Sequence, residues 1–136
     1  MKICIVTANY YPEISTQLIK GASNILQKNG IKNYKSISSP GIFELPVIIS
    51  RNIKKYDAFI ALGCVIKGET PHFNYISRAV TNAIMDLSTK YKKPIGNGII
   101  TCLDKKQAAI RANIFKKDKG GEAATAALTV LGILKK

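Results

Sequence analysis

The sequence predicts an α/β fold, a parallel sheet covered by helices on both faces. Three observations predict it. Short apolar runs alternate with stretches whose apolar residues recur at helical spacing. That alternation continues through the chain with no internal repeat, low-complexity segment or domain break. The length, 136 residues, fits one domain spanning 1–136 that can bury a useful core.

Each element follows in order. Residues 3–7 form a short apolar run of the kind that suits a buried strand. Ser15 is placed to cap a helix in which Leu18, Ala22, Ile25 and Leu26 recur until Gly30 stops it. Residues 34–38 read as a second, weaker strand. Pro40-Gly41 forces a turn, and residues 43–53 read as a helix that tolerates Pro46 in its first turn. Residues 57–62 make a third strand, closed by Gly63. A long helix runs from His72 to Lys90, with Ile76, Ala79, Val80, Ala83, Ile84 and Leu87 as its apolar stripe. Pro94 opens the next connection and residues 98–101 form a fourth strand. Asp104 with Gln107 resembles a capping box for a helix through Arg111. After a loop over residues 116–121 comes a last helix whose Ala123, Ala124, Ala126 and Ala127 suit close packing.

Composition narrows the function classes. At 46% hydrophobic and 21% charged the chain reads as globular. Its first six residues resemble the opening of a signal peptide, but the apolar stretch stops at Thr7-Ala8-Asn9 and no small-residue cleavage site follows. The longest apolar stretch, residues 123–134, is shorter than the roughly 20 residues of a membrane span. A soluble, cytoplasmic protein is the expectation. Cys4, Cys64 and Cys102 are odd in number, far apart and without CxxC spacing, which disfavours a disulfide framework or zinc site. A catalytic thiol and a small buried apolar filler are the two readings of each cysteine, the filler preferred.

The formal net charge is +13. It suits attraction to phosphate, or a lysine-rich solvated surface. Arg51, Arg78 and Arg111 are the only arginines, the lysines are scattered, and no aromatic-studded basic stripe is present. Nucleic-acid binding is therefore not expected.

In a parallel sheet ligands bind beyond the carboxyl ends of the strands. That rule selects Asn9-Tyr10-Tyr11, residues 39–44, residues 64–72 and Cys102-Leu103. Gly68-Glu69-Thr70-Pro71-His72 precedes a helix whose N-terminal N–H groups can attract an anion. His72, the only histidine, is either a proton shuttle with an intrinsic pKa of about 6.5 or a helix-start residue satisfied by the backbone. A histidine-based metal site is not expected. Glu44 can accept from ligand hydroxyls or simply suit a helix dipole; Tyr10 and Tyr11 can stack on a planar ring or pack into their own protein. Arg111 and Lys119 can each meet a phosphate or lie as ordinary surface cations.

Together these segments resemble the lumazine synthase family over essentially the whole chain. The most specific is Gly63-Cys64-Val65-Ile66-Lys67-Gly68-Glu69-Thr70-Pro71-His72-Phe73; Pro40-Gly41-Ile42-Phe43-Glu44-Leu45-Pro46 and Asn97-Gly98-Ile99-Ile100-Thr101 support it. Gln107-Ala108, Arg111-Ala112, Lys119-Gly120 and Glu122-Ala123 complete the pattern. The resemblance implies a three-layer α/β/α flavodoxin-like sandwich with a central, mainly parallel four-stranded sheet. It also implies a cofactor-free condensation of 5-amino-6-(D-ribitylamino)uracil with 3,4-dihydroxy-2-butanone 4-phosphate, giving 6,7-dimethyl-8-ribityllumazine, water and phosphate.

Carried over by that resemblance, Tyr10 stacks on the pyrimidine, Gly41, Ile42, Phe43 and Glu44 hold the ribityl chain and ring edge, and Val65 and Ile66 line the ring pocket. Glu69, Thr70 and Arg111 serve the phosphate, Lys67 joins the binding segment, and His72 moves protons. Lys119 contacts the pyrimidine or helps with charge. Asn97, Arg111 and Lys119 come from a neighbouring subunit, because the family forms pentamers, some of which assemble into shells. With only Met1 and Lys2 before the first strand, an isolated pentamer is the expectation here.

Some positions depart from the family's commonest pattern. Arg-Phe-Asn is usual where this chain has Asn9-Tyr10-Tyr11, an aromatic residue often stands at Asn97, and Arg often replaces Lys67. Competing readings are a non-catalytic flavin- or lumazine-binding relative, a flavodoxin-like electron carrier and a basic RNA-binding module. The electron carrier should show a Ser/Thr/Gly-rich loop after the first strand, which Ala8-Asn9-Tyr10-Tyr11-Pro12-Glu13 is not.

Overall fold

The computed structural model of the chain describes residues 1–134; Lys135 and Lys136 lie outside the described residues. Four strands, β1 (Ile3–Ala8), β2 (Lys35–Ser39), β3 (Ala58–Ile66) and β4 (Ile95–Cys102), form one all-parallel sheet in the order β2-β1-β3-β4. Five helices accompany them: α1 (Pro12–Lys28), α2 (Leu45–Asn52), α3 (His72–Tyr91), α4 (Lys105–Ala112) and α5 (Lys119–Val130). The three-layer α/β/α sandwich expected from the sequence is the fold observed.

Alternation along the strands divides the core in two. Ile3, Ile5, Ile60, Leu62 and Ile100 face α1, α4 and α5, where Leu18, Ala108, Ala124 and Leu128 meet them. Cys4, Val6, Phe59, Ala61 and Val65 face α2 and α3, meeting Leu45, Ile49, Ile76, Val80 and Ile84. Every residue of β1 is buried, which is why that strand reads as a continuous apolar run rather than an alternating one.

Several boundaries differ from the sequence expectation. α1 begins at Pro12 rather than after Ser15, because a proline at the first helical position has its φ preset and no N–H to lose. Ser15 is instead buried within the first turn, its hydroxyl bonded to Asn9 Oδ1 and Pro12 O. α2 starts at Leu45 rather than Phe43, and β4 starts at Ile95 rather than Gly98. α5 starts at Lys119, before the Gly-Gly pair, because Asp118 accepts from Gly121 N at 3.2 Å and caps it.

The largest difference is at Gly63. It does not close β3; the strand runs through it to Ile66, with Gly63 opposite Ile99. A side chain there would overlap Ile42 Cδ1 and press on Ala8 Cβ, so glycine lets the turn before α2 lie against the sheet.

α1 and α5 approach so closely that a Cβ on Gly120 would overlap the Leu18 carbonyl. Gly120→Ala should therefore destabilise the chain by about 1–3 kcal/mol despite alanine's better helix propensity. Thermal unfolding of the variant checks this, and an unchanged midpoint would mean that the helices have room to part.

Candidate active site

The strand order reverses between β1 and β3, since β2 lies on one side of β1 and β3 on the other. A crevice opens at the carboxyl ends there. It is a cleft of about 410 Å³ lined by Tyr10 and Tyr11 after β1, Gly41 to Glu44 before α2, Cys64 to Ile66 at the end of β3, and His72 and Ile76 of α3.

Local bonds fix each wall. Asn9 N donates to Ser39 O at 3.4 Å, and Asn9 Oδ1 accepts from Ser15, so Asn9 anchors the turn after β1 to β2 and α1. Tyr11 meets the Tyr10 ring edge-on at 5.0 Å, and Lys105 Nζ lies 5.8 Å from its centroid. Tyr10 is 71% exposed and so free to offer a face. Ser39 Oγ donates to Gly41 O at 2.7 Å, and Leu45 N to Ile42 O at 3.1 Å, holding the turn that presents Phe43 outward and keeps Ile42 underneath. His72 is the first residue of α3; its backbone N–H meets Thr70 Oγ1 at 3.4 Å, and the residue lines the cleft.

Lys67, Glu69 and Thr70 stand apart from this wall. They are exposed in the connection between β3 and α3 and line no described cleft. Lys67 N donates to Cys102 O at 2.9 Å, which ties the start of that connection to the end of β4.

A second cleft, about 460 Å³, lies on the far side of β4 and gathers Asn97, Ile99, Ile100, Thr101, Arg111, Lys117, Lys119 and Glu122. Arg111 reaches back from the last turn of α4, its Nη1 donating to Thr101 O at 2.7 Å and lying 3.9 Å from Cys102 Sγ. Asp104 accepts from Gln107 N at 2.8 Å while Gln107 Oε1 accepts from Leu103 N at 2.8 Å, so the cap expected from the sequence starts the helix that aims Arg111. Lys119 pairs with Glu122 at 3.2 Å. Asn97 folds onto its own strand, its Oδ1 accepting from Ile99 N at 3.1 Å.

The fold thus brings Tyr10, Gly41, Ile42, Phe43, Glu44, Val65, Ile66 and His72 together, and Asn97, Arg111 and Lys119 together, in separate clefts of one chain. The sequence pattern singled out neither Ile76, which reads as one more member of a helical stripe, nor Lys117, which sits in a polar loop with no signal of its own.

All three cysteines are free and buried. Burial pushes the Cys4 thiol up to about 11. Burial, reinforced by Cys102, takes Cys64 to about 12. The Cys102 thiol is also raised by burial, with Arg111 opposing. Cys64 thus borders the first cleft with its thiol pushed toward the neutral, less reactive form. Among the described residues no three His, Cys, Asp or Glu side chains gather closely enough to share a metal ion, and no helix is long and apolar enough to cross a membrane.

Fold and clefts define a flavodoxin-like α/β protein with an aromatic cleft at its switch point and a cationic one beyond its edge strand. The family described as 6,7-dimethyl-8-ribityllumazine synthase matches residues 1–135. Proteins of that name from Bartonella bacilliformis, Paenarthrobacter aurescens and Agrobacterium fabrum are similar throughout. The Bartonella protein is 43% identical over 98% of this chain and 90% of its own length. For the Paenarthrobacter protein the figures are 40%, 99% and 85%. For the Agrobacterium protein they are 40%, 98% and 95%. The chain belongs to the 6,7-dimethyl-8-ribityllumazine synthase family.

Proposed function

We propose that the two clefts are halves of one active site, completed where the cationic cleft of one subunit faces the aromatic cleft of the next. The observation that carries this is their separation: ring-holding residues and cations lie in different clefts of the same chain. The enzyme, a transferase of riboflavin biosynthesis, condenses 5-amino-6-(D-ribitylamino)uracil with 3,4-dihydroxy-2-butanone 4-phosphate to give 6,7-dimethyl-8-ribityllumazine, water and phosphate. Residues 1–136 act as one domain, in the cytoplasm, as a closed homopentamer.

In this reading Tyr10 stacks on the pyrimidine, Val65 and Ile66 wall the ring, and Gly41 to Glu44 take the ribityl hydroxyls and ring edge. Arg111 of the neighbour holds the phosphate, Glu69 and Thr70 offer it backbone and hydroxyl donors from the connection before α3, and Lys67 in that connection borders it. Lys119 and Asn97 of the neighbour close the ring pocket. The amine of the pyrimidine adds to the ketone and water leaves to form an imine. Phosphate is then eliminated to leave an enol that tautomerises to a ketone, and the ribityl-bearing amine adds to that carbonyl and expels a second water to close the ring. Holding the two substrates side by side converts an encounter into an intramolecular step, and His72 moves protons at the carbonyl and leaving group.

The test mixes purified protein with both substrates and follows lumazine by absorbance and emission. Formation well above the uncatalysed background is expected. Background-level formation by an intact oligomer would turn the assignment toward a binding relative. His72→Ala should slow turnover roughly ten-fold or more with the oligomer unchanged; equal turnover would remove His72 from the chemistry.

A further inference from the structure

The cationic cleft holds more charge than its assigned residues use. Three cations, Arg111, Lys117 and Lys119, line it against a single carboxylate, Glu122. Arg111 is pinned by Thr101 O at 2.7 Å, and Lys119 is engaged by both Glu122 oxygens at 3.2 and 3.3 Å. Lys117, among the described residues, has no side-chain hydrogen bond or ion pair, although its backbone is fixed by Lys117 N donating to Ile110 O at 3.3 Å. A held backbone with an unpartnered ammonium over a cleft already positive is a poised anion contact.

We propose that Lys117 is a second phosphate-binding cation, its ammonium meeting the phosphate of the butanone substrate, and inorganic phosphate as product, alongside Arg111. The proposal rests on the active-site reading above and deepens it. Arg111 supplies a fixed, planar fork already committed in part to the protein; Lys117 supplies a mobile point charge that can follow the phosphate as its bond to carbon breaks. Lys117 lines the same cleft as Arg111 and Lys119, so a phosphate held there by Arg111 lies in a space that all three cations border.

The test compares the full-length chain with Lys117→Gln and Lys117→Arg. Lys117→Gln should raise the KM for the phosphorylated butanone, and weaken competitive inhibition by inorganic phosphate, roughly three- to ten-fold. The KM for the pyrimidine should stay put, and Lys117→Arg should restore most of the loss. Unchanged phosphate inhibition, or equal rises in both KM values, would overturn the assignment. A direct measurement separates this from the reaction itself: inorganic phosphate at matched ionic strength should raise the wild-type unfolding temperature more than that of Lys117→Gln. If the wild type forms no lumazine, the active-site reading fails, and the phosphate-induced shift still decides Lys117: an equal shift in both proteins overturns it.

Discussion

Arg111→Ala should lower kcat/KM for the phosphorylated butanone on the order of 100-fold, mostly through KM. The guanidinium loses its charge and its fork together, and Lys117 and Lys119 lack the planar geometry to replace it. Its removal also frees the Thr101 carbonyl, which Arg111 Nη1 now satisfies at 2.7 Å, but that carbonyl sits at an exposed position where water can take over. Folding should therefore be little affected. Steady-state kinetics with each substrate varied in turn checks the assignment. A change confined to the pyrimidine requirement would move Arg111 away from the phosphate.

Phe59→Ala should cost about 3–5 kcal/mol of stability, a large share of the roughly 5–15 kcal/mol available to a domain. Phe59 is fully buried on β3, a central strand, opposite Cys4 on one side and Ile95 on the other. Its ring meets Tyr56 edge-on at 5.7 Å and fills the layer beneath α2 and α3. Alanine would leave a void between two helices and a strand, all held by the rest of the fold. Denaturant unfolding at fixed protein concentration checks it; a loss below about 1 kcal/mol would mean that α2 and α3 collapse onto the gap.

Much of this was legible in the residues. The alternation of apolar runs and helical stripes gave four strands and five helices in the observed order, because each pattern reports a period the backbone imposes. The carboxyl-end rule located the first cleft from Tyr10, residues 41–44 and His72, since a parallel sheet puts those turns at one end. Boundaries were less legible. Gly63 looks like a stop, yet its missing side chain is what lets β3 continue beneath Ile42. Ser15 looks like a cap, yet Pro12 starts the helix and Ser15 is spent on Asn9. The placing of His72 and Arg111 in separate clefts, one at the switch point and one beside the edge strand β4, was not readable from spacing alone, because the crossovers of the chain decide it, a tertiary fact. It came to the sequence only through the family resemblance.

The Asn97 side chain also acts on the margin of the sheet. β4 is an outermost strand, and such a strand offers its unused amides to any extended segment that drifts past. By claiming the Ile99 amide for itself, Asn97 removes one rung from that ladder. A foreign strand adding there would have to displace an internal bond before gaining its own. The same side chain thus makes the margin of the sheet less adhesive toward extended segments, which disfavours edge-to-edge, amyloid-like stacking.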